Sequence, residues 1–173
     1  IGQGEIDPVE LTEHFLSQIE VSPIGKKIYS TVTSQLALGQ AKESKRRADL
    51  GCRISSLDGV PISWKDLFDI KGYPCEAGSE LLAGRLANKN SKVYNFAEAH
   101  GLICLGKTHM SELAFSGLGL NPIRETPPCV NYPGSVPGGS SSGAATSVSF
   151  GLAAAGIGSD TGGSVRIPAA WND

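Results

Sequence analysis

Residues 134–171, GSVPGGSSSGAATSVSFGLAAAGIGSDTGGSVRIPAAW, are the stretch on which the reading of the fold turns. The stretch opens on a backbone nearly stripped of side chains, Gly138-Gly139-Ser140-Ser141-Ser142-Gly143. An apolar small-residue run over 146–157 leads to a second bare turn, Asp160-Thr161-Gly162-Gly163-Ser164. Glycines beside a serine suit a backbone that takes unusual dihedrals or lets another group approach closely. If the run brings the two loops together, Ser140 and Ser164 can face one reacting atom. The consecutive N–H groups of Thr161, Gly162, Gly163 and Ser164 can then be aimed at an anion, as an oxyanion requires. The competing reading is a flexible Gly/Ser linker. Asp160, Val165, Arg166, Ile167 and Pro168 argue against it by ending the low complexity within a few residues.

A serine hydroxyl is a poor nucleophile until a base takes its proton. His14, His100 and His109 all lie upstream of Ser164, so the order nucleophile, acid, histidine is not available within this chain. For the same reason the G-x-S-x-G match at 139–143, with Ser141 at its centre, is empty. Residues 59–70, GVPISWKDLFDI, offer another base: Lys65 is the only basic residue of an apolar, strand-like run. Burial disfavours the ammonium form and can lower a lysine's pKa by roughly 3–5. A neutral Lys65 would accept a proton near pH 7.

GVPISWKDLFDIKG, GKTHMSELA, PGGSSSGAA and SDTGGSVRIPAAW, in this order and spacing, together resemble the amidase signature family of serine hydrolases. The resemblance runs from about residue 57 onward. It implies an α/β fold, a mixed central sheet covered by helices, with a helical lead-in over about 5–50 and the signature core over about 57–173. It also implies a Ser–Ser–Lys triad: Ser164 as nucleophile, Ser140 as the bridging serine after a cis peptide bond at Gly139, and Lys65 as the base. Thr161 to Ser164 would hold the oxyanion through their N–H groups, Ser141 would support the network, and Asp160 and Arg166 would brace the nucleophile loop. The activity expected is hydrolysis of a small-molecule amide to acid plus ammonia or amine through an acyl-enzyme, with no metal and no organic cofactor. Members of the family are usually more than twice as long, so the chain reads as the N-terminal part of an amidase, with a C-terminal segment expected beyond Asp173. Ile167 stands where transfer-RNA amidotransferase subunits usually carry glutamine, which favours a free-standing amidase. The alternatives are a non-catalytic remnant and the glutamine-hydrolysing subunit of a transfer-RNA-dependent amidotransferase.

The remaining sequence fits an enzyme of this kind. The 173 residues, 40% of them hydrophobic and with a formal charge of −2, are enough for one globular core. That near-neutral balance speaks against a dedicated nucleic-acid or membrane-surface binder. No apolar stretch is long enough to span a bilayer. The four cysteines, Cys52, Cys75, Cys104 and Cys129, show neither C-x-x-C spacing nor a disulfide-scaffold pattern, and free thiols point to the cytoplasm. A homodimer is compatible with all of this.

Working along the chain, residues 5–20 read as an amphipathic helix with Asp7 as N-cap, Pro8 at its first position, Glu10 completing a capping box, and Leu11, Phe15, Leu16 and Ile19 as its apolar stripe. A second helix spans about 33–49, with Lys42, Lys45, Arg46 and Arg47 as a solvated basic face near its C-terminus. Residues 90–100 form the next helix, with Val93, Phe96 and Ala97 inward, and 102–105 a short buried strand. The G-x-x-x-x-G-K-T match at 101–108 lacks the strand before its first glycine that a phosphate loop needs, so it reads as structural. His109, Ser111 and Glu112 read as a turn and helix start. Residues 117–137 form a long irregular connection in which Arg124 and Glu125 either touch substrate or belong to an exposed loop.

Overall fold

A computed structural model describes Ile1 and residues 4–173. Four strands form one mixed sheet in the order β1-β3-β2-β4, where β1 is Tyr29–Val32, β2 Pro61–Lys65, β3 Ile103–Thr108 and β4 Ala155–Ile157. β2 runs parallel to β3 and to β4, and β1 closes the other edge antiparallel to β3. Both central strands are buried along their whole length. Covered on both faces, they bury the polar Ser63, Lys65, Lys107 and Thr108 along with their apolar residues.

The first helix, α1 (Pro8–Val21), starts as its sequence dictates. The Asp7 carboxylate accepts the N–H groups of Val9 and Glu10, and Pro8 occupies the first turn. The reciprocal bond from Asp7 N–H to the Glu10 carboxylate, the second half of a capping box, is not among the hydrogen bonds of the described residues. A single turn, α2 (Gly25–Ile28), leads into β1, and α3 (Ser34–Asp49) packs on α1 and β3. Ala37 and Ala41 of α3 lie against Ile103, with Val9 and Leu16 closing the cluster.

The basic half of α3 is not simply a solvated face. Lys45 reaches Asp7 at 2.7 Å, and Arg47 holds Asp58 through two hydrogen bonds of 2.8 and 2.7 Å. Asp58 is fully buried. That ion pair fixes the turn that delivers β2.

The helix α4 (Lys92–Ala99) covers one face of the sheet, and its register differs from the sequence expectation. Tyr94 and Ala97 are buried against Trp64, Ile70 and Cys104, whereas Val93 and Phe96 face outward. Tyr94 also gives Gln40 and Glu98 a hydroxyl partner, so one amphipathic residue replaces two apolar ones as the anchor. Strand β3 runs on to Thr108, which takes the Gly106-Lys107-Thr108 part of the apparent phosphate loop into the sheet. The small-residue run divides into α5 (Ser142–Ser149) and β4, and a last helix, α6 (Arg166–Asn172), follows the second bare turn. The irregular connection at 117–137 is tied to α6 by Asn172, whose side chain donates to Pro137 O and Pro168 O and accepts from Val130 N.

Breaking a buried ion pair from one side leaves an uncompensated charge, at a cost of about 3–5 kcal/mol. Asp58→Ala is therefore expected to lower the unfolding free energy by about 3 kcal/mol in a urea titration. Arg46→Ala, which removes only an exposed pair with Glu43, should change it by less than about 0.5 kcal/mol.

Candidate active site

Ser63 and Lys65 share one face of β2, opposite Ile62 and Trp64, as the two-residue repeat of a strand requires. The face that carries Lys65 is the one covered by α5, where Ser63 Oγ and Ser147 Oγ lie 2.7 Å apart. Lys65 is the last residue of its strand and completely buried. Its Nζ donates to Ser140 Oγ at 2.7 Å and to Ser159 Oγ at 2.8 Å. Among the described residues no carboxylate touches it. Burial therefore dominates and brings its pKa down to about 8, against a smaller upward pull from the Asp160 charge.

Backbone contacts on all sides place Ser140. The Gly139–Ser140 peptide bond is cis. Gly139 N–H donates to Gly117 O, Ser140 O accepts from Ser111 N, and Ser141 N–H donates to Ser164 O at 3.0 Å. These approaches leave no room for side chains: a Cβ on Gly139 would lie 2.6 Å from Gly119 N, and one on Gly143 would lie 2.7 Å from His109 O. Gly143 N–H donates to His109 O, and His109 N–H donates to Ile28 O, so the start of α5 is locked to the exits of β3 and α2. His109 is itself buried, with its pKa pushed down chiefly by that burial, and belongs to this brace.

The second bare turn is organised by Asp160. Its carboxylate accepts from Gly163 N at 2.8 Å, from Val165 N and Arg166 N at 3.2 Å, and from both ends of the Arg166 guanidinium at 3.0 and 2.9 Å. The Arg166 guanidinium and these N–H donors hold Asp160 far below the usual carboxylate range. Gly163, one of the four oxyanion donors expected from the sequence, therefore already has Asp160 as the acceptor of its N–H. The N–H groups of Thr161, Gly162 and Ser164 make no hydrogen bond among the described residues.

Lys65, Ser140 and Ser164 therefore come from three distant segments to one place. The link from Lys65 to Ser140 is a direct hydrogen bond. Ser164 joins through its backbone carbonyl, and a hydrogen bond between Ser140 Oγ and Ser164 Oγ is not made among the described residues. Ser141 is nearly fully buried and is joined at 3.3 Å in both directions to the Ser159 backbone, an arrangement unlike an exposed nucleophile elbow. Ser159 is a site residue that the sequence does not single out. Its only signal is its place one residue before the Asp160 turn, and a serine in a Gly-Ser-Asp stretch looks like any loop serine. Arg124 does not face the site. It holds Glu76 and Glu80, each at 3.0 Å, and ties the long connection to the turn after β2.

The mixed α/β sheet thus buries Lys65 against Ser140, beside the glycine turn that carries Ser164. The Amidase family pattern matches residues 10–173, and the chain belongs to that family. Among curated proteins it is 40% identical, over 168 residues, to the A-type component of the glutamyl-tRNA(Gln) amidotransferase from Anaeromyxobacter dehalogenans strain 2CP-C, covering 96% of this chain and 34% of that protein. Among solved structures it superposes with a TM-score of 0.89 on the native peptide amidase from Stenotrophomonas maltophilia, at 29% identity, covering 99% of this chain and 36% of that one. A bacterial aryl acylamidase of the amidase signature family gives 0.88 at 30% identity with the same coverage, 99% and 36%. The chain thus spans about a third of the length of the relatives it matches.

Ser159→Ala removes one of the two acceptors of Lys65. It is expected to lower the Lys65 pKa further, seen by NMR titration of the lysine Nζ, while Ser159→Thr, which keeps the hydroxyl, leaves it close to the parent.

Proposed function

We propose that this chain carries the reacting groups of an amidase that hydrolyses a carboxylic amide through an acyl-enzyme on Ser164. The observation that carries the reading is the 2.7 Å contact between a buried lysine without a carboxylate partner and the hydroxyl of Ser140. Neutral Lys65 takes the proton of Ser140 as Ser140 takes that of Ser164, and Ser164 Oγ attacks the amide carbonyl. In this reading the Ser140–Ser164 hydrogen bond forms when substrate fills the site, as catalytic hydrogen bonds commonly do. The oxyanion is held by the N–H groups of Thr161, Gly162 and Ser164, while Asp160, braced by Arg166, keeps the turn in shape through Gly163. The amine leaves with a proton returned along the same relay, and water then attacks the acyl carbonyl to release the acid.

The residues beside the bare loops favour an apolar acyl group. Gly138 N and Gly139 N donate to Leu118 O and Gly117 O. This places the segment carrying Leu113, Phe115 and Leu118 next to Ser140. All three side chains are exposed, Phe115 by 94%. The assignment of residues 57–173 as the N-terminal part of a longer signature core rests on the one-third coverage of the relatives. Four free thiols suit a reducing cytoplasm.

A second reading has its own support, since the curated relative named above is a component of an amidotransferase. In that role, the protein would hydrolyse glutamine and pass on ammonia within an assembly. Ile167 favours the free-standing amidase. Turnover of simple amides by the isolated full-length protein supports that reading, whereas glutaminase activity that appears only with a partner supports the amidotransferase.

The lysine reading fixes a pH dependence. The reactive form is neutral, so kcat/KM should rise about tenfold per pH unit below the midpoint near pH 8 and level off above it. Ser164→Ala should abolish acyl-enzyme formation, seen by intact mass, and Lys65→Ala should slow it about 100-fold or more at pH 7. Wild-type turnover in Lys65→Ala would remove the proposed base. Phe115→Ala should cut the preference for aromatic over acetyl amides about tenfold, read from the ratio of kcat/KM values.

A further inference from the structure

A second lysine is buried as completely as Lys65 and lies one strand away. Lys107 of β3 is the partner of Trp64 in the β2–β3 register, and Lys65 is the partner of Thr108. Cross-strand partners share a face, so the two lysines project from opposite faces of the sheet at adjacent registers. Their environments differ in one respect. Lys65 meets only hydroxyls, whereas Lys107 Nζ donates to Asp66 Oδ1 at 2.7 Å and to Pro74 O at 2.9 Å. Asp66 is the residue directly after Lys65, 5% exposed, and its other carboxylate oxygen accepts from Glu76 N. Its backbone is engaged as well: Asp66 N–H donates to Thr108 O, and Asp66 O accepts from Ala77 N.

Resting on the reading of Lys65 as the base, we propose that Asp66 and Lys107 are positioning residues whose opposite charges cancel at Lys65. The pair clamps the end of β2 where Lys65 leaves it and, being neutral as a pair, adds no net charge beside Lys65. The clamp is read from the geometry, and the neutrality from the 2.7 Å Lys107–Asp66 ion pair. Asp66 is fixed at its carboxylate, N–H and carbonyl at once, so the backbone that aims Lys65 at Ser140 has little freedom. Either charge alone would act on Lys65 through the thickness of a dry sheet, where screening by salt is weak.

The other titratable and charged groups around the pair are Cys75, whose Sγ donates to Asp66 O, Cys104, His109, Asp69 with its partner Arg85, and Glu76 with its partner Arg124. Both thiols are pushed up by burial, to about 11 for Cys75 and about 12 for Cys104, and burial also pushes His109 down. All three therefore stay uncharged around neutral pH. On the Lys65 side the Asp160 charge pulls against burial.

The test uses the full-length enzyme and three variants, Asp66→Asn, Lys107→Met and the double substitution, each checked for folding by circular dichroism. An unpaired Lys107 opposes a second ammonium, and an unpaired Asp66 favours it. The midpoint of the kcat/KM against pH profile should therefore lie lower in Asp66→Asn than in Lys107→Met, by about half to one pH unit or more. The double variant should return close to the parent midpoint, even if its turnover is reduced. A residue that matters only for folding lowers activity at every pH and does not separate the two midpoints. Coincident or reversed midpoints in folded single variants would overturn the proposal. Lys65→Met, measured alongside, separates the two readings: if it keeps the parent's pH midpoint, the base assignment fails, whatever the pair does.

Discussion

The structure depends on keeping an ammonium group in the dry interior without a carboxylate beside it. Lys65 Nζ has two hydroxyl oxygens as partners and a buried stem. A hydroxyl satisfies a donor but does not neutralise a charge, so the protonated form is disfavoured and the pKa falls to about 8. In folding terms this opposes stability. The unfolded chain binds the proton with the ordinary lysine affinity, and the folded chain binds it less tightly. Stability contributed by this group is therefore complete only above about pH 10.5 and is lost as pH falls toward 8. The surrounding packing has to offset that loss, and it is dense: Ile62, Trp64, Ile103 and Leu105 are all essentially inaccessible.

Two lysines at adjacent registers show how environment divides roles among identical side chains. Lys107 has an ion pair and a carbonyl, the arrangement that makes a buried charge tolerable. Lys65 has neither, and its charge is the labile one. The same contrast appears among the carboxylates. Asp58 and Asp160 are both clamped by arginine and by backbone N–H groups, and both are held below the usual carboxylate range. Each organises a turn, one leading into β2 and one carrying Ser164.

Glycine makes the convergence possible by allowing backbones to touch. At Gly139 and Gly143 a side chain would run into main-chain atoms of neighbouring segments, so the loop carrying Ser140 and the start of α5 can sit directly on Gly119 and His109. Leu113 and Ala114, at φ values of 48° and 60°, turn the chain between β3 and the bare loops in a region where side chains are disfavoured. That turn leaves Phe115 outside, beside the loops.

Local chemistry made a good part of this legible in the sequence. The Asp7–Pro8 start of α1, the extent of α3, the apolar strand-like run around Lys65, though the strand ends at Lys65 and not near residue 70, and the two glycine-bracketed serines follow from capping, periodicity and composition, which act over a few neighbouring residues. The resemblance carried by four short motifs supplied the rest of the expected centre. Long-range pairing was not legible, because sequence does not show which polar groups share a cavity. Ser159 as the second acceptor of Lys65, Asp66 as the partner of Lys107, the use of Gly163 N–H by Asp160, and the outward turn of Val93 and Phe96 in favour of Tyr94 were all decided by tertiary packing. Which buried charge is neutralised and which is left bare is a property of the assembled sheet, since it depends on the partner strand's register and not on the residue itself.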